Sequence, residues 1–152
     1  MKYTIIILTA IITLTGCARN NAFDNFKLNE KQELSINSLQ SSKIKSQKNI
    51  DGIVSAIYLN QIYPKLFNNN EYFFVYYYSK TDSGNIKLKL NGQLPIKIKK
   101  LNSNNRFTSL IKTKNSWNSY YLVAFKKQDK KTINLLLENY PYVSDLLSYQ
   151  KD

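Results

Sequence analysis

Residues 71–80 read EYFFVYYYSK: six aromatic side chains and a valine between a glutamate and a serine-lysine pair. As an extended strand, the segment puts Phe73, Val75 and Tyr77 on one face and Tyr72, Phe74, Tyr76 and Tyr78 on the other. Both faces cannot meet water, because that much exposed apolar area aggregates. We assign Phe73, Val75 and Tyr77 to the core. Phe74 then needs cover, from the polar segment upstream or from the aliphatic stems of neighbours. Tyr72, Tyr76 and Tyr78 can keep their hydroxyls wet while their rings stack under lysine stems, each contact worth about 0.5–1 kcal/mol. Such a face is either a ladder that stabilises a sheet or an aromatic platform for a sugar or a partner protein.

Outward from this stretch, from Gly52 on, runs of strand-type residues are separated by Asn/Ser/Gly/Asp clusters. They cover 53–62, 72–79, 86–90, 94–99, 120–126, 133–138 and 143–149, with a weaker run at 107–111. No window carries a long helical stripe. About seven strands in about 100 residues point to an all-β domain built as a β-sandwich. Pairing is tested by asking that apolar residues share a face. A three-residue loop at 91–93 would pair Leu90 with Leu94, Leu88 with Ile96 and Ile86 with Ile98, but would also oppose Lys87 to Lys97. A chain that crosses to a second sheet after Gly92 avoids that clash. A loop over 127–131 sets Phe125 against Ile133, Val123 against Leu135 and Tyr121 against Leu137, a cleaner hairpin.

The beginning reads MKYTIIILTAIITLTGCARN. Lys2 supplies a positive start, and residues 3–14 form an apolar stretch. It is too short for a membrane span, which takes about 20 residues, and it suits a signal segment. Leu14, Thr15, Gly16 and Cys17 resemble the lipobox of bacterial lipoproteins, and Cys17 is the chain's one cysteine. The expectation is a signal peptide over 1–16 and a Cys17 that carries diacylglycerol on sulfur and an acyl group on nitrogen. At about 0.8 kcal/mol per buried CH₂, two or three such chains anchor a protein. Ala18, not Asp, follows the cysteine, which points to the outer membrane of a two-membrane bacterium, on either leaflet. Residues 17–49 are polar and read as a flexible tether, with a helical turn near 29–39. In a rival reading, Leu34, Ile36 and Leu39 form an extra element packed on the domain. The domain itself is expected over 50–152.

Net charge is +12, and no histidine occurs. That excludes Ser-His and Cys-His nucleophiles and the paired-histidine zinc motif. Four glycines leave no phosphate-cradling loop. The Ser-x-x-Lys spacing occurs at Ser42/Lys45, Ser109/Lys112 and Ser148/Lys151, without the companion motifs of acylating enzymes. The acids fall mostly in turns and the tether, so no carboxylate pair suggests itself. The expectation is a protein without catalysis, metal or soluble cofactor.

Lys87, Lys89, Lys97 and Lys99 alternate with Ile and Leu and belong on outer strand faces, while Lys126, Lys127, Lys130 and Lys131 crowd one hairpin end. Lysines there guard strand edges or attract a polyanion such as an anionic glycan. Nucleic acid fits poorly, since arginine, the better base and phosphate reader, occurs only at Arg19 and Arg106. Trp117, with Asn115, Asn118, Tyr120 and Tyr121 around it, is either a lid on one end of the core or an exposed sugar contact. The candidate ligand or partner face is therefore Tyr72, Tyr76, Tyr78, Lys87, Lys89, Lys97, Lys99 and Trp117.

The lipobox, the tether, the stretches SAIYLNQIYPKLF, EYFFVYYYSK, KLKLNGQLPIKIKKL and WNSYYLVAFKKQDKKTINLLLE, and the ending DLLSYQKD together resemble small lipoproteins of ε-proteobacteria, of the Campylobacter type. The resemblance implies an immunoglobulin-like β-sandwich without assigned enzymatic activity, lacking the cysteine pair of antibody domains. Three functions follow as expectations. One is a binding or adhesion module that takes an anionic glycan or a host surface through the Tyr/Lys face. The second is an envelope partner that docks another lipoprotein or outer-membrane protein. The third is a cryptic envelope hydrolase.

Overall fold

A computed structural model describes residues 29–47, 49–81, 87–112 and 114–151. The expected signal peptide 1–16, Cys17 and the first part of the expected tether lie outside the described residues. The chain is mostly β. In order come α1 (Glu30–Ser38), β1 (Leu39–Ser46), β2 (Asn49–Tyr58), α2 (Leu59–Ile62), β3 (Asn70–Ser79), β4 (Leu88–Leu90), β5 (Lys97–Leu101), a 3₁₀ turn (Thr108–Leu110), β6 (Ser119–Lys126), β7 (Thr132–Asn139), β8 (Tyr142–Ser144) and β9 (Leu147–Gln150).

Every pairing is antiparallel, and the hydrogen-bonded path runs β4-β7-β8-β1-β2-β3-β6-β5, with β9 also on β7. This sheet curls. Tyr121, Val123 and Phe125 near one end share a core with Leu88, Leu90, Ile133, Leu135, Leu137, Leu147 and Tyr149 near the other. The aromatic stretch is β3, paired on both edges, with Val75 between Ala56 and Tyr121. Phe73, Val75 and Tyr77 enter the inner core as expected. Phe73 packs against Tyr58, Tyr149 and Phe125 with ring centroids 5.1, 5.2 and 5.9 Å away.

The other face of β3 is covered too. Phe74 has no exposure and joins Ile57, Leu59, Ile62, Phe67, Phe107, Leu110 and Tyr120 in a second, outer core. Its ring lies 5.6 Å from Phe107 and stacks with Tyr120 at 6.0 Å and 9°. The cover comes from α1, α2 and the 3₁₀ turn. Asn60 explains why β2 ends at Tyr58 when the apolar run goes on to Ile62: its amide donates to the Asn70 carbonyl (2.6 Å) and accepts from the Tyr72 N–H (2.8 Å), so the chain bends there. At 107–111, where a weak strand was expected, Asn105 takes the Phe107 N–H at 2.9 Å and receives the Thr108 hydroxyl at 2.6 Å, closing a turn.

Three expectations are corrected. First, the tether expected over 17–49 is, from Asn29 on, helix and strand. Asn29 and Gln32 form a reciprocal capping box. The buried Ser35 hydroxyl donates to the Leu110 carbonyl at 2.7 Å. β1 then runs beside β2 from Leu39 to Ser46. Alternation in β1 is faint because Ser, Gln and Lys fill most positions, and Ile44 is its one buried residue. Second, residues 120–126 and 133–138 are no hairpin. Both edges of β6 are taken, by β3 and β5, and β7 pairs with β4, β8 and β9. Phe125, Val123 and Tyr121 do share the inner core with Ile133, Leu135 and Leu137, but through faces and not edges. Third, the turn at Asn91-Gly92 has two residues, with φ of 49° and 83°, closed by the Leu90 and Gln93 backbones at 2.9 Å each way. Pairing stops at that bridge, and the chain leaves β4 for β5 across the sheet, in line with the crossing weighed as the alternative to the hairpin, which keeps Lys87 away from Lys97. Among the described residues nine strands stand where about seven were expected.

Candidate functional site

Register sorts the predicted face. Lys97 is opposite Ala124 and Lys99 opposite Leu122. Across β6, Ala124 is opposite Tyr72, Leu122 opposite Phe74 and Tyr120 opposite Tyr76. Lys97, Lys99, Tyr72 and Tyr76 therefore share the outer face. Lys97, Lys99 and Tyr72, with Asn70, Ile96, Leu122 and Ala124, line a groove of about 450 Å³. Tyr72 is half-buried and fixed by Phe67, 4.7 Å away between ring centroids. Both lysines are exposed. The groove offers one packed aromatic ring, two exposed cations and one amide.

The remaining predicted residues lie elsewhere. Tyr76 lies deeper in the outer face, 6.1 Å from Tyr120, and lines a separate hollow of about 430 Å³ with Ser35, Ile36, Leu39 and Leu110. Burial raises its hydroxyl above the usual value, against a hydrogen bond with Ser55. Tyr78 is 41% exposed, opposite Ile53. Lys87 and Lys89 belong to the β4–β7 end of the sheet; Lys89 pairs with Glu138 at 2.5 Å, and Lys87 is exposed. Trp117 is 76% exposed and so does not close the core. Its loop is pinned by the Tyr120 hydroxyl, which donates to the Asn115 carbonyl at 2.8 Å and accepts from the Asn115 N–H at 3.1 Å. The lysine stacking expected of Tyr72, Tyr76 and Tyr78 falls elsewhere: among the described residues, the cation–π contacts are Lys31 over Tyr63 and Arg106 over Phe107.

Two buried acids escaped the sequence reading. Glu71 is 1% exposed, on the inner face with Phe73. It accepts from the Tyr58 hydroxyl, from the Gln128 N–H at 2.8 Å and from the Lys151 ammonium at 2.7 Å. Burial pushes its carboxyl up, but Lys151, Tyr58 and Gln128 outweigh that and hold it below the ordinary value. The signal was legible, since an acid in phase with Phe73, Val75 and Tyr77 needs a cation. Asp51 is the bulged residue of β2, where the β1 register slips between Ile44 and Lys45. Burial raises its carboxyl, but hydrogen bonds from Ser79 and from the Thr81 hydroxyl and N–H, with Lys80 nearby, bring it below the ordinary value. In both clusters the carboxylate oxygens are occupied within the protein, a structural use.

No group of three potential metal ligands occurs among the described residues, and no helix among them is long and apolar enough to cross a membrane. Comparison with protein-family models, with curated proteins and with solved structures finds no match.

Proposed function

We propose that the chain is a lipid-anchored envelope lipoprotein, held in the outer membrane through acylated Cys17, whose β domain works by binding an anionic glycan. The observation that carries the binding reading is the groove in which Tyr72, Lys97, Lys99 and Asn70 meet. A sugar ring lies on an aromatic face, an amide serves its hydroxyls, and two lysines meet its acid groups. The lipobox and the lone cysteine support the anchor. The curled sheet, whose two ends close over one core, supports the immunoglobulin-like sandwich reading. The absence of histidine supports binding over hydrolysis.

The test is an array of anionic envelope glycans probed with the detergent-solubilised full chain at low and high salt. Saturable binding that weakens as salt rises is expected. The Lys97→Gln/Lys99→Gln double variant should lose at least about tenfold in affinity, two charge-assisted contacts being worth more than the ~1.4 kcal/mol that tenfold represents. Lys87→Gln, at the far end of the sheet, should leave binding unchanged. An array without saturable binding, or binding indifferent to the double variant, overturns the reading.

A further inference from the structure

Beyond the glycan reading, and drawing on the same groove and its two lysines, we propose that the free edge of β5 is a docking strand for an extended, acidic segment of a partner protein. β5 pairs with β6 along one side, from Lys97 opposite Ala124 to Leu101 opposite Tyr120. It ends the hydrogen-bonded path, so no described strand takes its other side. An unpaired strand edge is a template for another strand.

The side chains around this edge say what kind of strand it admits. Leu94, Ile96 and Ile98 are 68%, 50% and 40% exposed, an aliphatic strip that a merely protected edge does not need. Lys97 and Lys99 stand on the outer face, and Lys100, opposite Tyr121, on the inner one. Any self-pairing of KIKKL sets lysine against or beside lysine, which disfavours a second copy of this chain. The same lysines attract carboxylates. From Lys87 to Gln128 the sequence holds lysines and an arginine but no aspartate or glutamate. The β4 end of the sheet differs, because Lys89 there is already bonded to Glu138. The groove beside β5, lined by Ile96, Lys97, Lys99 and Leu122, provides a seat for alternate side chains of an incoming strand. Strand addition uses this division of labour, with main-chain hydrogen bonds for affinity and side-chain seats for selectivity.

The probe is a synthetic peptide, acetyl-Glu-Val-Glu-Thr-Glu-Val-Glu-amide, titrated into the detergent-solubilised full chain by calorimetry, with amide hydrogen exchange read over residues 97–101. Saturable binding that slows exchange in β5 is expected. The same peptide N-methylated at alternate residues keeps every charge but cannot complete the ladder; it should bind at least about tenfold more weakly, as should a lysine-for-glutamate version. Ile98→Asn, uncharged and on the face away from Lys97 and Lys99, should weaken the acidic peptide at least about tenfold while glycan binding is unchanged. Failure of this proposal is thus separable from failure of the glycan reading. The proposal is overturned if the acidic peptide does not bind, if the N-methylated or lysine version binds equally, or if protection appears away from β5.

Discussion

Phe74 and Glu71 stand three positions apart in β3 and point to opposite faces, and each carries weight that a one-sided strand would not ask of it. Phe74 lies on the face that simple alternation assigns to solvent, yet it is fully buried among Phe107, Tyr120 and Tyr76. Phe74→Ala should therefore cost about 3–5 kcal/mol, as much as Phe73→Ala, while Tyr78→Ala at the exposed end of the same row costs far less. Urea unfolding of the three variants measures it. Glu71 has its folded carboxyl held below the ordinary value, so the unfolded chain takes up the proton first as pH falls. Its contribution is complete above the ordinary glutamate range, near pH 4.3, and is lost as pH drops through the lower folded value. Glu71→Gln should shrink this acid limb of the stability curve without abolishing it, because Asp51 has the same sign of shift. At neutral pH the variant should be less stable by roughly 3–5 kcal/mol, since the Lys151 ammonium loses its buried partner. Melting curves between pH 3 and pH 7 show both effects.

The elements differ in how plainly the residues announce them. β3 and β6 are legible because runs of aromatic and β-branched residues leave little other choice, and the inner face of β3 follows from alternation. α1 and β1 are not. EKQELSINS turns serines, Ser35 and Ser38, toward the protein, so its apolar pattern misleads: Leu34 and Ile36 are 38% and 40% exposed. What holds this helix is hydrogen bonding, and polar docking leaves no hydrophobic period to find. Asn29→Ala removes the cap and should cost about 1 kcal/mol, with faster amide exchange confined to α1. Of the candidate site, alternation puts Lys97 and Lys99 on one face of their strand, and the register through β6 brings Tyr72 to that face. Lys87 and Lys89 are grouped with them because joining strands that are neighbours in sequence is the default, whereas the chain takes the other course weighed for it and crosses the sheet after the Asn91-Gly92 turn. The 127–131 connection deceived for a related reason. Residues facing one another across a core show the same alternation as residues paired edge to edge.

At the scale of the molecule, β1 is the joining strand. It pairs with β2 on one side and, through Ile44 and Lys45, with β8 on the other, so it connects the two halves of the sheet. A chain that begins at residue 50, where the polar text gives way to strand-type runs, lacks this joint. It should fail to give the cooperative thermal transition of the full chain, with dichroism and near-ultraviolet signals as the readout. Gly52 marks the same seam from the other side, since a Cβ there would meet the Tyr78 carbonyl oxygen at 1.9 Å.

The pairing of Ile44 with Ser144 also bears on the order in which the protein is made. A chain leaving the ribosome, or threading through a membrane pore, cannot finish its sheet until residues 142–144 have emerged, however long residues 39–46 have waited. Contacts this distant in sequence form slowly, so the two halves of the sheet stay unjoined until that segment has been made.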